Sequence, residues 1–460
     1  MRFVFVINKD LISGFQWGIE ITTVSTSISE CLDSFAQTII SLLLQSFYLN
    51  RGHMRYLIFV FFTLLQLQIQ SQHFAPLDSA IDRLITGNKV SGGVAMVWKD
   101  GNIIHQKVYG WKDPEHIATM PMDAIFRIAS QTKLIVTVAA LQLVSKHNIS
   151  LDEHIEKWLP LFSNQRVAQL IDGKIELVER KNPVTLRHLL THTSGISSAD
   201  EFPQFKALFQ EYQLDRPLNF GYKNLEQEVA QIARMPLMHE PGKRFSDGSS
   251  TDVLARWIEV VSGMSLGVYL DRHIFKQLKM TDTHFKLPPT KSARLLSINR
   301  TDASGNLVRL GNQLFPADFP VNNQITLESG AGGLVSTASD YLKLLVCLVN
   351  NGQYAGNRNL LPAQWIDSLC TGQLAGAQFA TGGLRSKNTF GLGVGITTPE
   401  GSKLTGATPG SFFWGGAFNT SYLVDRAQRT ITIFMFQRVP FDLTFSLTTL
   451  ERLAFIESKQ

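Results

Sequence analysis

Beyond residue 73, the hydrophobic pattern of this chain changes character three times. From Ala75 to Ile85 apolar residues recur at helical spacing, which predicts an amphipathic helix. Gly93–Trp98 and Ile103–Tyr109 then alternate on either side of Lys99-Asp100-Gly101-Asn102, and two alternating runs joined at Asp-Gly predict a β-hairpin. Between Leu134 and Val144 the alternation gives way to an almost unbroken apolar run: Leu134, Ile135, Val136, Val138, Ala139, Ala140, Leu141, Leu143 and Val144. A helix that is apolar all round belongs inside a large core, so a buried helix is expected over 131–146. A long stretch of mixed helix and loop follows, broken at Pro241-Gly242, Gly330-Ala331-Gly332-Gly333 and Phe390-Gly391-Leu392-Gly393. Alternation returns in Thr420–Val424 and Thr430–Phe436, around the turn Asp425-Arg426-Ala427-Gln428, and a closing helix is expected over Leu443–Ile456. Strands at both ends with a helical middle predict an α+β fold. One antiparallel sheet would draw on both termini, carry helices on its faces and be interrupted by a large helical insertion.

The N-terminal region reads differently. Arg51, His53 and Arg55 form a basic flank to the apolar run Tyr56–Leu65, after which the chain turns polar at Gln66, Gln68, Gln70, Ser71 and Gln72. That run is too short to span a bilayer and has the layout of a signal peptide. The expectation is a leader over 54–72 that starts near Met54, with residues 1–53 an upstream extension foreign to the natural protein and 73–460 the folded domain. Localisation would then be secreted or periplasmic.

Composition narrows the function. Hydrophobic residues make up 44% and charged residues 18% of 460, the balance of an ordinary globular protein with ample core. The net charge of +5 comes from interspersed acids and bases without a Lys/Arg block, so no nucleic-acid partner is expected. Of the three cysteines, Cys31 would leave with the leader, which leaves Cys347 in an apolar helix over Tyr341–Val349 and Cys370; a bridge between these two is one option. His188 and His192, spaced i,i+4, could seat a metal on a helix, but no acidic partner of the His-Glu-x-x-His kind adjoins them. Structural histidines are the favoured reading, and neither a metal nor another cofactor is expected. Nothing implies an obligate protein partner.

The candidate chemistry sits where the buried helix begins. Ser130 and Lys133 stand three residues apart, on one face of a first helical turn. An ammonium beside so apolar a helix is costly, and desolvation favours the neutral amine. A neutral amine can take the proton of a neighbouring hydroxyl, which activates serine as a nucleophile. The helix N-terminus adds amides suited to a developing oxyanion. Ser130 also fits an ordinary N-cap, but no other serine of the chain has lysine at i+3. A rival nucleophile, Ser265 in Gly263-Met264-Ser265-Leu266-Gly267, matches the Gly-x-Ser-x-Gly elbow; that motif needs a strand before it, whereas Val253–Val261 reads as a helix. Ser262-Gly263 then reads as a helix end and Ser265 as the next N-cap.

Taken together, the motifs resemble those of the serine β-lactamase-like, penicillin-recognising hydrolases, in particular the class C-like branch that includes family VIII carboxylesterases. Ser130 and Lys133 match the family's Ser-x-x-Lys. Leu189-Leu190-Thr191-His192-Thr193-Ser194-Gly195 resembles its turn, Glu328–Thr337 its glycine-rich segment, and Phe390–Gly393 and Trp414-Gly415-Gly416-Ala417 two later signatures. The resemblance implies that Trp414-Gly415-Gly416 stands where the family has Lys-Thr-Gly. It also implies that the amide of Ala417 pairs with that of Ser130 as an oxyanion hole. Small glycines let an acyl group approach the strand closely, and Trp414 in place of a cation favours an uncharged acyl group or ester.

One position departs from the family. Its usual tyrosine falls on Asp247 and the i+2 partner on Ser249, within Phe245-Ser246-Asp247-Gly248-Ser249, and Phe245 takes an aromatic packing position. A carboxylate there is short and favours the ammonium form of Lys133, the wrong state for a base. The resemblance therefore implies acyl transfer through Ser130, most directly on carboxylic esters, with β-lactamase, D-Ala peptidase and transacylase activities as alternatives. A non-catalytic binding protein that has lost its proton relay at Asp247 is the alternative from outside the enzymes. The implied partner is a small ester or amide.

Overall fold

The computed structural model describes residues 74–459 except 216–220, 312–318, 322–325, 357 and 375–386, together with Phe5–Val6 and Glu20–Ile21. Contacts divide the chain into residues 1–75 and 76–460. In the first unit, Phe5–Val6 pairs antiparallel with Glu20–Ile21. The proposed upstream extension 1–53 lies outside the described residues but for those two pairs, and the leader 54–72 lies wholly outside them.

The second unit has the α+β architecture expected. Helix α1 (Ala75–Thr86) leads into the hairpin of β1 (Gly92–Lys99) and β2 (Asn102–Gly110). The C-terminal part supplies β3 (Thr389–Phe390), β4 (Gly395–Ile396), β5 (Phe412–Gly416), β6 (Thr420–Asp425) and β7 (Thr430–Met435). Together they form one sheet in the order β3-β4-β5-β6-β7-β1-β2. The seam between the two ends of the chain is the antiparallel pairing of β7 with β1, from Thr430↔Lys99 to Met435↔Val94. Strands β5, β6 and β7 are buried at every position. Both faces of these strands are therefore covered.

The helical insertion packs against that sheet. Helix α2 (Thr132–His147) buries every residue from Thr132 to Leu141, then Leu143 and Val144, as its all-round apolar sequence requires. It ends in left-handed Asn148 (φ +51°). Helix α3 (Ser250–Ser262) packs Val253, Leu254, Trp257 and Ile258 into the same core, while α4 (Ala338–Val349) contributes Tyr341, Leu344, Leu345 and Leu348. Each such side chain contributes about 1.5–3 kcal/mol on leaving water. Helix α5 (Thr444–Glu457) closes the domain. Among the described residues, no single helix is long and apolar enough to cross a membrane.

Two of the open options fall away. Cys347 and Cys370 are free thiols, the first packed at 1% exposure inside α4, so the bridge between them is absent. The helix carrying His188 stops at Leu190, and His192 follows with left-handed backbone (φ +53°), which breaks the i,i+4 geometry a metal would need. His188 is occupied otherwise: its Nδ1 accepts from the Thr185 amide at 3.2 Å as half of a capping box. Among the described residues, no cluster of His, Cys, Asp or Glu suits a metal ion. Gly263 (φ +69°) ends α3 and the Ser265 side chain accepts from Val268 N, so Ser265 is an N-cap preceded by a helix rather than an elbow preceded by a strand.

Candidate active site

Ser130 lies in a 3-10 turn, Ala129–Gln131, that leads into α2, rather than in the α-helix itself. The turn is strained, because Ala129 has φ +42°. A non-glycine residue held there costs on the order of 1–3 kcal/mol and persists only where its surroundings fix it. They do so here. Ile128 N donates to Leu334 O at 3.1 Å, Gln131 N donates to Ile128 O at 3.1 Å, and the Tyr341 hydroxyl donates to Gln131 O at 2.9 Å.

Lys133 occupies the next turn, 4% exposed. Its Nζ lies 2.8 Å from Ser130 Oγ, 3.1 Å from the Ala331 carbonyl and 3.5 Å from Asp247 Oδ1. Three oxygens thus surround the nitrogen, one of them the hydroxyl it would deprotonate. Ser130 is half-buried, whereas its partner Lys133 is buried.

Strand β5 arrives beside this turn, and Gly416 is why it can. A Cβ on Gly416 would stand 2.2 Å from the Ile128 carbonyl, so only glycine permits the approach. Ala417 follows as an exposed turn residue, and Asn419 N donates to Gly416 O at 3.0 Å to fix that turn. Trp414 is 5% exposed, with its ring edge-on to Phe390 at 5.2 Å. Phe390 in turn meets Phe245 at 4.8 Å and His192 at 5.6 Å. Trp414 and Phe245 thus belong to one aromatic cluster, largely turned inward, behind the polar site. Gly393 (φ +72°) locks its segment to α2: a Cβ there would meet Thr137 Oγ1 at 2.0 Å, and its amide donates to Leu190 O at 2.7 Å.

Asp247 sits in the loop before α3. Its Oδ1 accepts from the Gly248 amide at 2.8 Å, and its carbonyl accepts from Ser197 Oγ at 3.2 Å. Burial alone would raise the carboxyl, but Lys133, His192 and the Gly248 amide outweigh it and hold it below the usual carboxylate range. It is ionised at neutral pH. Ser249 stands apart, lining a small cavity with Ser197, Phe209 and Met238.

Two participants escaped the motif reading. Asp252, in the first turn of α3 and 2% exposed, accepts from Ser329 Oγ and the Ala331 amide, each at 2.9 Å. It thereby fixes the turn whose Ala331 carbonyl receives Lys133, and burial pushes its carboxyl up despite those donors. A carboxylate within Asp252-Val253-Leu254 was the available signal, since acids are rarely buried without partners. His192 is the other: 1% exposed, with Nδ1 at 3.6 Å from Asp247 Oδ1 and Nε2 at 3.5 Å from Thr251 Oγ1. Burial drives its imidazole down to about 4, and Lys133 adds to that while Asp247 opposes it, so the ring is neutral.

A sheet closed by both ends of the chain, a buried helix headed by Ser-x-x-Lys and a glycine-bearing strand alongside define the serine β-lactamase/transpeptidase-like fold class. The family model for beta-lactamase matches residues 77–454. Esterase EstB of Burkholderia gladioli is 27% identical over 370 residues, covering 77% of this chain and 87% of the esterase. Monacolin J acid methylbutanoyltransferase of Aspergillus terreus is 26% identical over 393 residues, covering 80% of this chain and 91% of the transferase. Among solved structures, simvastatin synthase (LovD) from Aspergillus terreus superposes with TM-score 0.70 at 26% identity, covering 84% of this chain and 98% of LovD. The chain belongs to the beta-lactamase family, and it is an enzyme of that family's hydrolase and acyltransferase type.

Proposed function

We propose that this enzyme hydrolyses carboxylic esters through an acyl-enzyme on Ser130. The observation that carries the reading is the 2.8 Å contact between Ser130 Oγ and a lysine only 4% exposed, at the mouth of an apolar core. Ser130 Oγ attacks the ester carbonyl, Lys133 takes its proton, and the amides of Ser130 and Ala417 receive the oxyanion. Water then releases the acyl group. The strand Trp414-Gly415-Gly416 offers no cation to a substrate carboxylate, which favours uncharged acyl groups.

A fluorophosphonate probe tests this directly. Labelling of the wild type that is lost in Ser130→Ala supports the reading, and unlabelled wild-type protein at saturating probe sinks it. Short-chain aryl esters assayed beside a chromogenic β-lactam separate esterase from β-lactamase activity. Transfer to an alcohol rather than water is a second reading, favoured by the methylbutanoyltransferase relative. Added alcohol that diverts the acyl group into a new ester would support it.

We further propose export through a leader beginning near Met54, on the sequence pattern alone. Peptides from residues 1–53 in natively exported protein would refute that.

A further inference from the structure

Three nitrogens face the Asp247 carboxylate, and the nearest contact of each is to the same oxygen. Oδ1 accepts from the Gly248 amide at 2.8 Å and lies 3.5 Å from Lys133 Nζ and 3.6 Å from His192 Nδ1. Among the described residues, no hydrogen bond reaches Oδ2. That oxygen keeps its lone pairs for something else. The ion pair with Lys133 is also lopsided, since a third of the aspartate side chain is exposed but only 5% of the lysine. A molecule entering the site meets the anion of this pair before its cation. Nor does Lys133 cancel the charge in every direction. The segment 197–202 packs on the Asp247 loop: Ser197 Oγ donates to Asp247 O at 3.2 Å, and a Cβ on Gly248 would stand 2.5 Å from the Ser197 carbonyl carbon. Within that segment, burial pushes the Glu201 carboxyl up, and the charge of Asp247 adds to it, against Arg244. Arg244 itself is turned onto the face of the Phe202 ring, 4.7 Å from its centre.

We propose that Asp247 determines specificity: its open carboxylate oxygen receives a cationic group on the alcohol portion of the ester, so the enzyme prefers esters of amino and quaternary ammonium alcohols to neutral esters of the same shape. Esters whose alcohol carries a carboxylate are rejected. This rests on the reading of Ser130 as nucleophile. In that reading Lys133 holds the serine proton when the ester bond breaks, and the departing oxygen comes within reach of Lys133 Nζ to recover it. Asp247 Oδ1 is 3.5 Å from that nitrogen and Ser130 Oγ is 2.8 Å from it, so the alcohol leaves past the carboxylate. At this separation a charge discriminates between substrates that shape alone does not tell apart. A tyrosine would present a neutral hydroxyl here. The aspartate presents a charge, and the departure from the family pattern becomes a choice of substrate.

The test compares three acetates of nearly equal size: acetylcholine, its neutral isostere 3,3-dimethylbutyl acetate, and anionic 4-acetoxybutanoate. Acetate release is followed at neutral pH in the wild type and in Asp247→Asn, at low and at high salt. In the wild type at low salt, kcat/KM for acetylcholine should exceed that for the neutral isostere by about tenfold, with the anion slowest. The preference should shrink in high salt and fall towards one in Asp247→Asn, chiefly through KM for acetylcholine. A wild-type ratio of one or less overturns the proposal, as does a preference that Asp247→Asn leaves intact. If Asp247→Asn is inactive or unfolded, the wild type decides alone, and a preference insensitive to salt overturns the assignment. If none of the acetates turns over, their inhibition of 4-nitrophenyl acetate hydrolysis supplies the same ratio. Hydrolysis that survives Ser130→Ala removes the nucleophile itself, a failure recognisable whatever the charge preference.

Discussion

Lys133 stands between two carboxylates that the fold treats in opposite ways. Asp252 is 2% exposed and accepts from the Ser329 hydroxyl and the Ala331 amide, both at 2.9 Å. Asp247, with a third of its side chain exposed, has one backbone amide at 2.8 Å and the nitrogens of Lys133 and His192 at 3.5 and 3.6 Å. The first is a scaffold acid whose acceptors are committed to a turn. The second faces Lys133 and His192 from a site partly open to water. Two aspartates five residues apart, beside one lysine, thus divide into a buried brace and an open ion-pair partner. Surroundings decide the role, not residue type.

The sharpest way to break that comparison is to remove what the two acids share. Lys133→Ala should lower kcat/KM for aryl esters by at least about 10³-fold. An activity within tenfold of wild type would mean that neither acid acts through it. Next in size is Asp252→Ala, which leaves the Ser329 and Ala331 donors unpaired inside the protein. It should cost about 1–3 kcal/mol of stability in a denaturant titration, with a loss of kcat as the Ala331 carbonyl drifts. Asp247→Ala should cost less stability than Asp252→Ala, since its site is open to water; the reverse order would overturn the distinction.

Stability against pH sharpens the comparison further. A histidine whose folded value lies at about 4, below its usual 6.5, leaves the unfolded chain holding more protons in that window. Stability should therefore fall as pH drops from about 6.5 to 4, by on the order of 3 kcal/mol, and His192→Gln should flatten that limb. Asp247 acts lower on the scale. Its stabilising contribution is complete above the ordinary carboxyl value of 3.8 and is lost only as pH falls below it. Asp247→Asn should alter the melting temperature only in the most acidic buffers if the two contributions are separate. The smallest effect belongs to the shared aromatic backing: Trp414→Phe keeps a ring beside Phe390 and should cost about 1 kcal/mol, with ester turnover changed only a few-fold.

Much of this was legible in the residues. The all-round apolar run after Ser130 announced a buried helix, and the alternating runs at both ends announced one sheet. Such patterns are local and need no knowledge of the partner. Ser130 and Lys133 were readable for the same reason, lying one turn apart. The rest of the site depends on meetings between distant segments. Asp252 finds Ser329 and Ala331 only after the insertion has folded, and the 190 region meets the 247 loop through Ser246 N and His192 O. His192 was hidden by its spacing to His188, which suggested a continuous helix where the chain breaks at Leu190. Asp247 stands in the sequence as a catalytic position shorter than the family tyrosine, and its neighbours Lys133, His192 and Gly248 are visible only in the fold.

The pairing of β7 with β1 has a consequence for how the molecule is born. A nascent chain completes the β1–β2 hairpin early, yet the partner for β1 leaves the ribosome only when Thr430–Met435 has been made. For most of translation one apolar edge stays open, a template for pairing with other chains. Strand β5 and its Gly416 are also synthesised late, so no Ser130 can be competent on a growing polypeptide. A truncation before Thr430 should yield an inactive, aggregating product.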